Sequence, residues 1–139
     1  MTGLIICMGL YLAALIYARM VLGKGLDSLS TEEKGKFLEI TASTRKWSLI
    51  FLVVIITLFL LASRFGKFSF VWIFSAYIAS LLLFNNGVIV ALVLRKLKAA
   101  GMPQFFITKY LVSSAIKFVA VILISVGVFY LISTGQIPV

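Results

Sequence analysis

Ser113 and Ser114 stand four and three positions before Lys117. On a helix these spacings put side chains on one face, an arrangement that lets a lysine amine take the proton of a serine nucleophile. The reaction needs more than the pair. The lysine must be deprotonated near neutral pH, and the developing oxyanion needs fixed donors. Nothing around these residues supplies either, so no catalytic residue is assigned and the chain is read as a non-enzyme. It has no histidine and a single cysteine, Cys7. That removes the usual haem ligand, the imidazole proton relay and most zinc sites, and it excludes an internal disulfide. Phosphate-loop glycines and metal-ligand clusters are also missing, so no cofactor and no metal are expected.

The other polar group that stands out is Asn85-Asn86, inside a long apolar run that ends in the basic clip Arg95-Lys96-Leu97-Lys98. Nine to ten residues separate the pair from Arg95, about 14 Å of helical rise, which predicts a depth near the middle of a bilayer. Two amides in hydrocarbon want partners. They serve either as an interhelical clasp or as a polar lining for an ion or a partner's carboxylate.

These residues are set in a chain of 139 residues that is 63% hydrophobic and 12% charged, with a mean hydropathy of +1.18. A soluble domain is about half apolar and about a quarter charged. The composition therefore predicts an all-α integral membrane protein. Continuous apolar runs, without the alternation of a barrel strand, exclude a transmembrane β-barrel. The runs predict four transmembrane helices at about 3–22, 47–63, 68–94 and 110–134, forming one membrane domain over 1–139. Small residues four apart suggest close-packing faces at Gly9 with Ala13, Ala14 with Ala18, Ala76 with Ser80, and Gly87 with Ala91. Trp72 and Tyr77 suit the outer interface and the depth just below it.

Residues 23–46 form the polar connecting segment and hold all four acids, Asp27, Glu32, Glu33 and Glu39. Ser30 followed by Glu33 is a capping-box pattern that predicts a helix start at Thr31. Glu32 and Lys36 make an i,i+4 pair. Phe37, Ile40 and Trp47, with Thr44 between them, predict an amphipathic cytoplasmic helix over 31–46.

The net charge is +9. Its cations flank apolar runs, which points to anionic lipid headgroups and not to nucleic acid. Arg45, Lys46, Arg95, Lys96, Lys98 and Lys109 are the residues expected to meet headgroups and to set orientation. The first and third connections carry at least ten of the thirteen basic residues and the second carries two. The positive-inside bias then puts both termini on the non-cytoplasmic side. Phe118 to Thr134 is long enough to span, so Lys117 is expected at the cytoplasmic interface; a span that begins earlier makes it an intramembrane charge.

The stretch from about 45 to 131 resembles the ATP synthase protein I family, the small membrane proteins encoded with bacterial F-type ATP synthases. The resemblance rests on an order of features: an apolar hairpin from Lys46 to Leu94, Asn86 in its second helix, the basic end Arg95-Lys96, and small residues before a lysine (Ser113, Ser114, Ala115, Lys117). This chain departs from that pattern in an added span and polar segment ahead of the region, and in ending where the family usually has another helix. The resemblance implies a bacterial inner membrane and a non-catalytic role in assembling or stabilising the ring of c subunits; a magnesium-supply role has also been suggested for the family. The function expected is a small accessory or structural subunit of a larger membrane complex. Its partners are the lipid bilayer and other membrane subunits. The alternative is a small homo-oligomeric channel, transporter or holin-like pore, for which Asn85 and Asn86 offer the polar lining.

Overall fold

The computed structural model describes residues 2–65 and 70–135. The expected turn around Gly66 and Lys67, the side chain of Trp72 and the last four residues lie outside the described part. Among the described residues all regular structure is helical: α1 (Thr2–Asp27), α2 (Thr31–Phe65), α3 (Phe70–Leu82), a π-helical stretch (Leu83–Ile89), α4 (Val90–Ala99) and α5 (Gln104–Ser133). Four helical runs are long and apolar enough to cross a membrane, namely 5–27, 31–65, 73–99 and 104–133.

The helices outrun the apolar stretches that predict them, because nothing in the polar flanks breaks the backbone hydrogen bonding. The connection between α1 and α2 shrinks to Ser28–Ser30. There the Ser28 hydroxyl donates to the Gly25 carbonyl at 2.6 Å and closes the last turn of α1. The capping box forms as expected. The Ser30 N–H donates to Glu33 Oε2 at 2.8 Å and the Glu33 N–H to Ser30 Oγ at 3.2 Å, so two orphan donors are satisfied reciprocally and α2 starts at Thr31. Lys36 pairs with Glu32 at 2.8 Å.

Residues 31–46 are the first part of α2, which runs 35 residues without interruption. Its inner face holds Phe37 and Thr44, both buried, whereas Trp47 is 62% exposed. Seven residues return a helix almost to the same direction, but ten leave it about 80° away. Trp47 therefore falls off the face it was expected to share.

At the far end, α4 stops in a Schellman motif. Gly101 has φ +69°, the Met102 N–H donates to the Leu97 carbonyl and the Gly101 N–H to the Lys98 carbonyl. Leu97 and Met102 are both buried, which supplies the hydrophobic contact that accompanies this cap. Pro103, lacking an N–H, ends the turn, and its carbonyl accepts from the Ile107 N–H at 3.1 Å. Thus α5 begins at Gln104 and passes through the expected start of the span at 110 and through Lys117 without a break.

The helices pack as two compact units, one of α1 with α5 and one of α2 with α3, the π stretch and α4. In the first, the two helices run antiparallel and approach closely at small residues. A Cβ built on Gly127 would lie 2.8 Å from Cys7 Sγ, and one on Gly25 would lie 2.9 Å from Lys109 Cβ and 3.2 Å from the Phe106 ring. Ala18 and Ala120 are buried between these points. Gly9 and Gly87, by contrast, face open space. Of the expected small-residue faces, the one at Ala14 and Ala18 is used within this unit; the Gly9 position meets nothing.

Three outcomes follow from how these glycines are placed. The Cβ of Gly127→Cys would stand 3.8 Å from Cys7 Cβ, the mean separation in disulfides. Mild oxidation of that variant should give an intramolecular crosslink, seen as a mobility shift reversed by reductant. Gly25→Ala should cost about 1–3 kcal/mol in detergent unfolding through overpacking. Gly9→Ala should instead stabilise by up to about 1 kcal/mol through helix propensity.

Candidate functional site

In the second unit α2 lies antiparallel to the run from α3 to α4, and four contacts give the register. Phe59 meets Tyr77 with ring centroids 5.5 Å apart. Phe51 stacks on Phe84 at 3.7 Å and 11°. The Ser48 hydroxyl donates to Asn85 Oδ1 at 3.2 Å. Lys96 Nζ donates to Ser43 Oγ at 2.9 Å. Asn85 therefore has a hydrogen-bond partner on the neighbouring helix, a serine of α2.

This register sets the level of the asparagine pair against α2. Counted along its own helix, Asn85 is ten residues from Arg95. Counted along the helix that it touches, it is level with Ser48, two residues and about 3 Å of rise from Lys46. The amides stand at the edge of the apolar run of α2, not at its middle. The two counts differ because Lys96 of the basic clip reaches Ser43, two to three residues beyond Arg45 and Lys46.

The segment carrying Asn85 and Asn86 is π-helical from Leu83 to Ile89. A π turn widens the helix by one residue and recurs at functional sites. Asn and Gly are poor helix formers, and Asn85-Asn86-Gly87 is the local signal that could have announced it. Asn85 is exposed and Asn86 half-buried.

Around this notch the cations are unpaired by acids. Arg45, Lys46, Arg95, Lys96 and Lys98 are all exposed, and the one ion pair among the described residues involves none of them. Rotation along the helices separates them by side: Lys96 reaches Ser43, while Arg45 sits three positions from Ser48 and so shares its face.

The serine and lysine candidates of α5 are not brought together as a dyad. Ser113 is 1% exposed and its hydroxyl donates to the Ala18 carbonyl at 2.8 Å. Ser114 shares a hydrogen bond with Tyr110. Lys117 is exposed. The contacts of Ala18 with Ser113 and Cys7 with Gly127 place it level with the Ala14–Tyr17 turn of α1, close to exposed Arg19. From Lys117 to Ser133 there remains about 24 Å of helix. Lys109 holds its ammonium 5.2 Å from the centre of the Phe105 ring. No group of three or more potential metal ligands exists among the described residues.

Between α2 and α3 lies an open apolar groove of about 340 Å³, walled by Phe59, Ile73 and Tyr77 and floored by the small side chains Ala62, Ala76 and Ser80. The Ala76 and Ser80 pair lines this groove rather than a packed contact.

Comparison of the chain with protein-family models, with curated proteins and with solved structures finds no match.

Double-mutant cycles should resolve the notch into its parts. Coupling between Ser48→Ala and Asn85→Ala should be about 0.6 kcal/mol, typical of hydrogen bonds within membranes. Coupling between Phe51→Ala and Phe84→Ala should reach about 0.5–1.5 kcal/mol. Detergent-unfolding titrations read both, and a zero coupling in both cycles would refute the register.

Proposed function

We propose that this chain is a non-catalytic accessory or structural subunit of a larger membrane protein complex, and that it stabilises or assembles the transmembrane helices of its partners. The observation that carries the reading is how little of each span is covered by the chain itself. No more than 11% of the residues in any of the four span windows are buried. Large apolar side chains such as Ile16, Val53, Leu60, Leu123 and Val126 point outward. A membrane is the solvent such surfaces require, and neighbouring helices fit where small residues leave room. The groove above Ala62, Ala76 and Ser80 has that character.

The reading includes a place and an orientation. The chain sits in a bacterial cytoplasmic membrane with its two basic connections in the cytoplasm and both termini outside, as the Lys and Arg asymmetry favours. Lys117 then lies toward the cytoplasmic side, level with the Ala14–Tyr17 turn of α1, with about 24 Å of α5 beyond it. The resemblance to the ATP synthase protein I family is compatible with this role and suggests a rotor as partner. The chain's own geometry supports a helper of helices of any such complex.

Purification of the tagged full chain from native membranes in mild detergent, followed by native mass spectrometry, tests the reading. Foreign subunits at a defined stoichiometry are expected. A discrete homo-oligomer that also conducts ions in liposomes would replace the reading with the pore alternative. If Lys117 meets a partner's carboxylate, Lys117→Leu should lower recovery of that partner about tenfold, the worth of one charge-assisted bond. Unchanged recovery would remove Lys117 from the account.

A further inference from the structure

We infer that the notch formed by Ser48 and Asn85, with Arg45 one turn below it, binds the phosphate of an anionic phospholipid headgroup. The inference rests on the reading of the chain as a membrane protein and adds to it a specific ligand site. Two features lie within one helical turn of each other there. The first is an amide with its donors free. Ser48 Oγ donates to Asn85 Oδ1, which turns the oxygen toward α2 and leaves both N–H bonds of Nδ2 pointing elsewhere. Asn85 is exposed and Nδ2 has no acceptor among the described residues. The second is a guanidinium without a carboxylate. Arg45 is exposed, sits on the face of Ser48 by its i,i+3 spacing, and takes no part in the ion pair of α2.

A guanidinium offers only donors, and the amide of Asn85, whose oxygen accepts from Ser48, adds the two N–H donors of Nδ2, a set suited to an oxyanion with several acceptors. Their level decides the source of that oxyanion. The notch is where the apolar run of α2 begins, immediately after Lys46, and exposed Leu49, Ile50 and Val53 continue from it. A phosphate seated there has acyl chains that lie along these side chains, which a free phosphate lacks. The sign of the surroundings decides the headgroup. Lys46, Arg95, Lys96 and Lys98 stand at the same end of the unit, so a zwitterionic headgroup brings its own cation into a positive field. A glycerol headgroup does not.

The full chain is reconstituted in phosphatidylcholine nanodiscs doped with phosphatidylglycerol, extracted in mild detergent, and its retained lipids are counted by native mass spectrometry. Phosphatidylglycerol should be retained in preference to phosphatidylcholine. Asn85→Asp keeps an acceptor for Ser48 but replaces the amide donors with a charge that repels phosphate. It and Arg45→Gln should each lower phosphatidylglycerol retention about tenfold. Lys98→Gln removes one cation from the same end without touching the notch and should change retention less than about twofold. Arg45→Lys should recover part of the loss, which separates a binding role from a folding defect. Equal retention in Asn85→Asp, Arg45→Gln and Lys98→Gln overturns the site. So does complete displacement of the lipid by inorganic phosphate, which would make it a free-phosphate site. Resistance of the protein to alkaline extraction from phosphatidylcholine vesicles is scored separately. A chain that stays integrated yet shows no headgroup preference loses the site and keeps the membrane reading.

Discussion

The hydrogen bond from Ser48 to Asn85, with the Phe51–Phe84 stack beside it, sets the register of the α2 unit, and register decides the level of every polar group there. Aligned this way, α2 and α4 do not end together. Lys96 reaches past the cations of α2 to Ser43, and Asn85 comes down to the edge of the apolar run. A shift by one turn, about 5.4 Å, would carry the amides into the apolar middle of α2 and separate Lys96 from its acceptor. The polar contacts and the aromatic stack therefore select the same alignment, which neither does alone. An aromatic stack slides along a helix at small cost, whereas an amide facing hydrocarbon without a partner costs more.

The α1–α5 unit reaches its register by a different route. Its single cross-helix hydrogen bond among those described, from Ser113 to the Ala18 carbonyl, is buried beside residues that have almost no side chain. Gly25 under Phe106 and Lys109 leaves no room for a methyl group, and Gly127 lies directly against the Cys7 sulfur. Steric exclusion is as specific as polar pairing here, because sliding by one residue would set Phe106 or Cys7 against a larger neighbour. The serine that looked like a nucleophile is part of this contact. A hydroxyl that donates to a carbonyl in a 1% exposed position is used for packing.

What could be read in the sequence follows the range of the interaction. The capping box at Ser30 and Glu33, the start of α2 and the Glu32–Lys36 pair depend on neighbours within one turn, and they were legible in full. The four apolar helical runs were legible because length and composition alone define them, although their ends were not. The helices continue through polar flanks until Gly101 and Pro103, or the Ser28 turn, stop them. Depth and partners were not legible. The level of Asn85 depends on Ser48, 37 positions away, and the partner of Ser113 is 95 positions away. Periodicity carries no information at such range. Trp47 shows a subtler limit: it belongs to the right run, but the 3.6-residue turn rotates it off the face that Phe37 and Thr44 share.

The π stretch connects these observations to what the unit can do. A regular α-helix through Leu83–Ile89 would hold Phe84, Asn85 and the buried pair Val93 and Leu97 in one fixed phase. The extra residue of the wide turn lets both ends satisfy their own contacts, with Phe84 and Asn85 against Phe51 and Ser48 above and Val93 and Leu97 buried below. Within the wide turn Asn85 is exposed and Asn86 half-buried. An apolar pair in place of Asn85-Asn86 would favour the regular helix and remove the donors at once. Helix geometry and surface chemistry at this notch are therefore two consequences of one local choice of residues, and a substitution there should be expected to change them together.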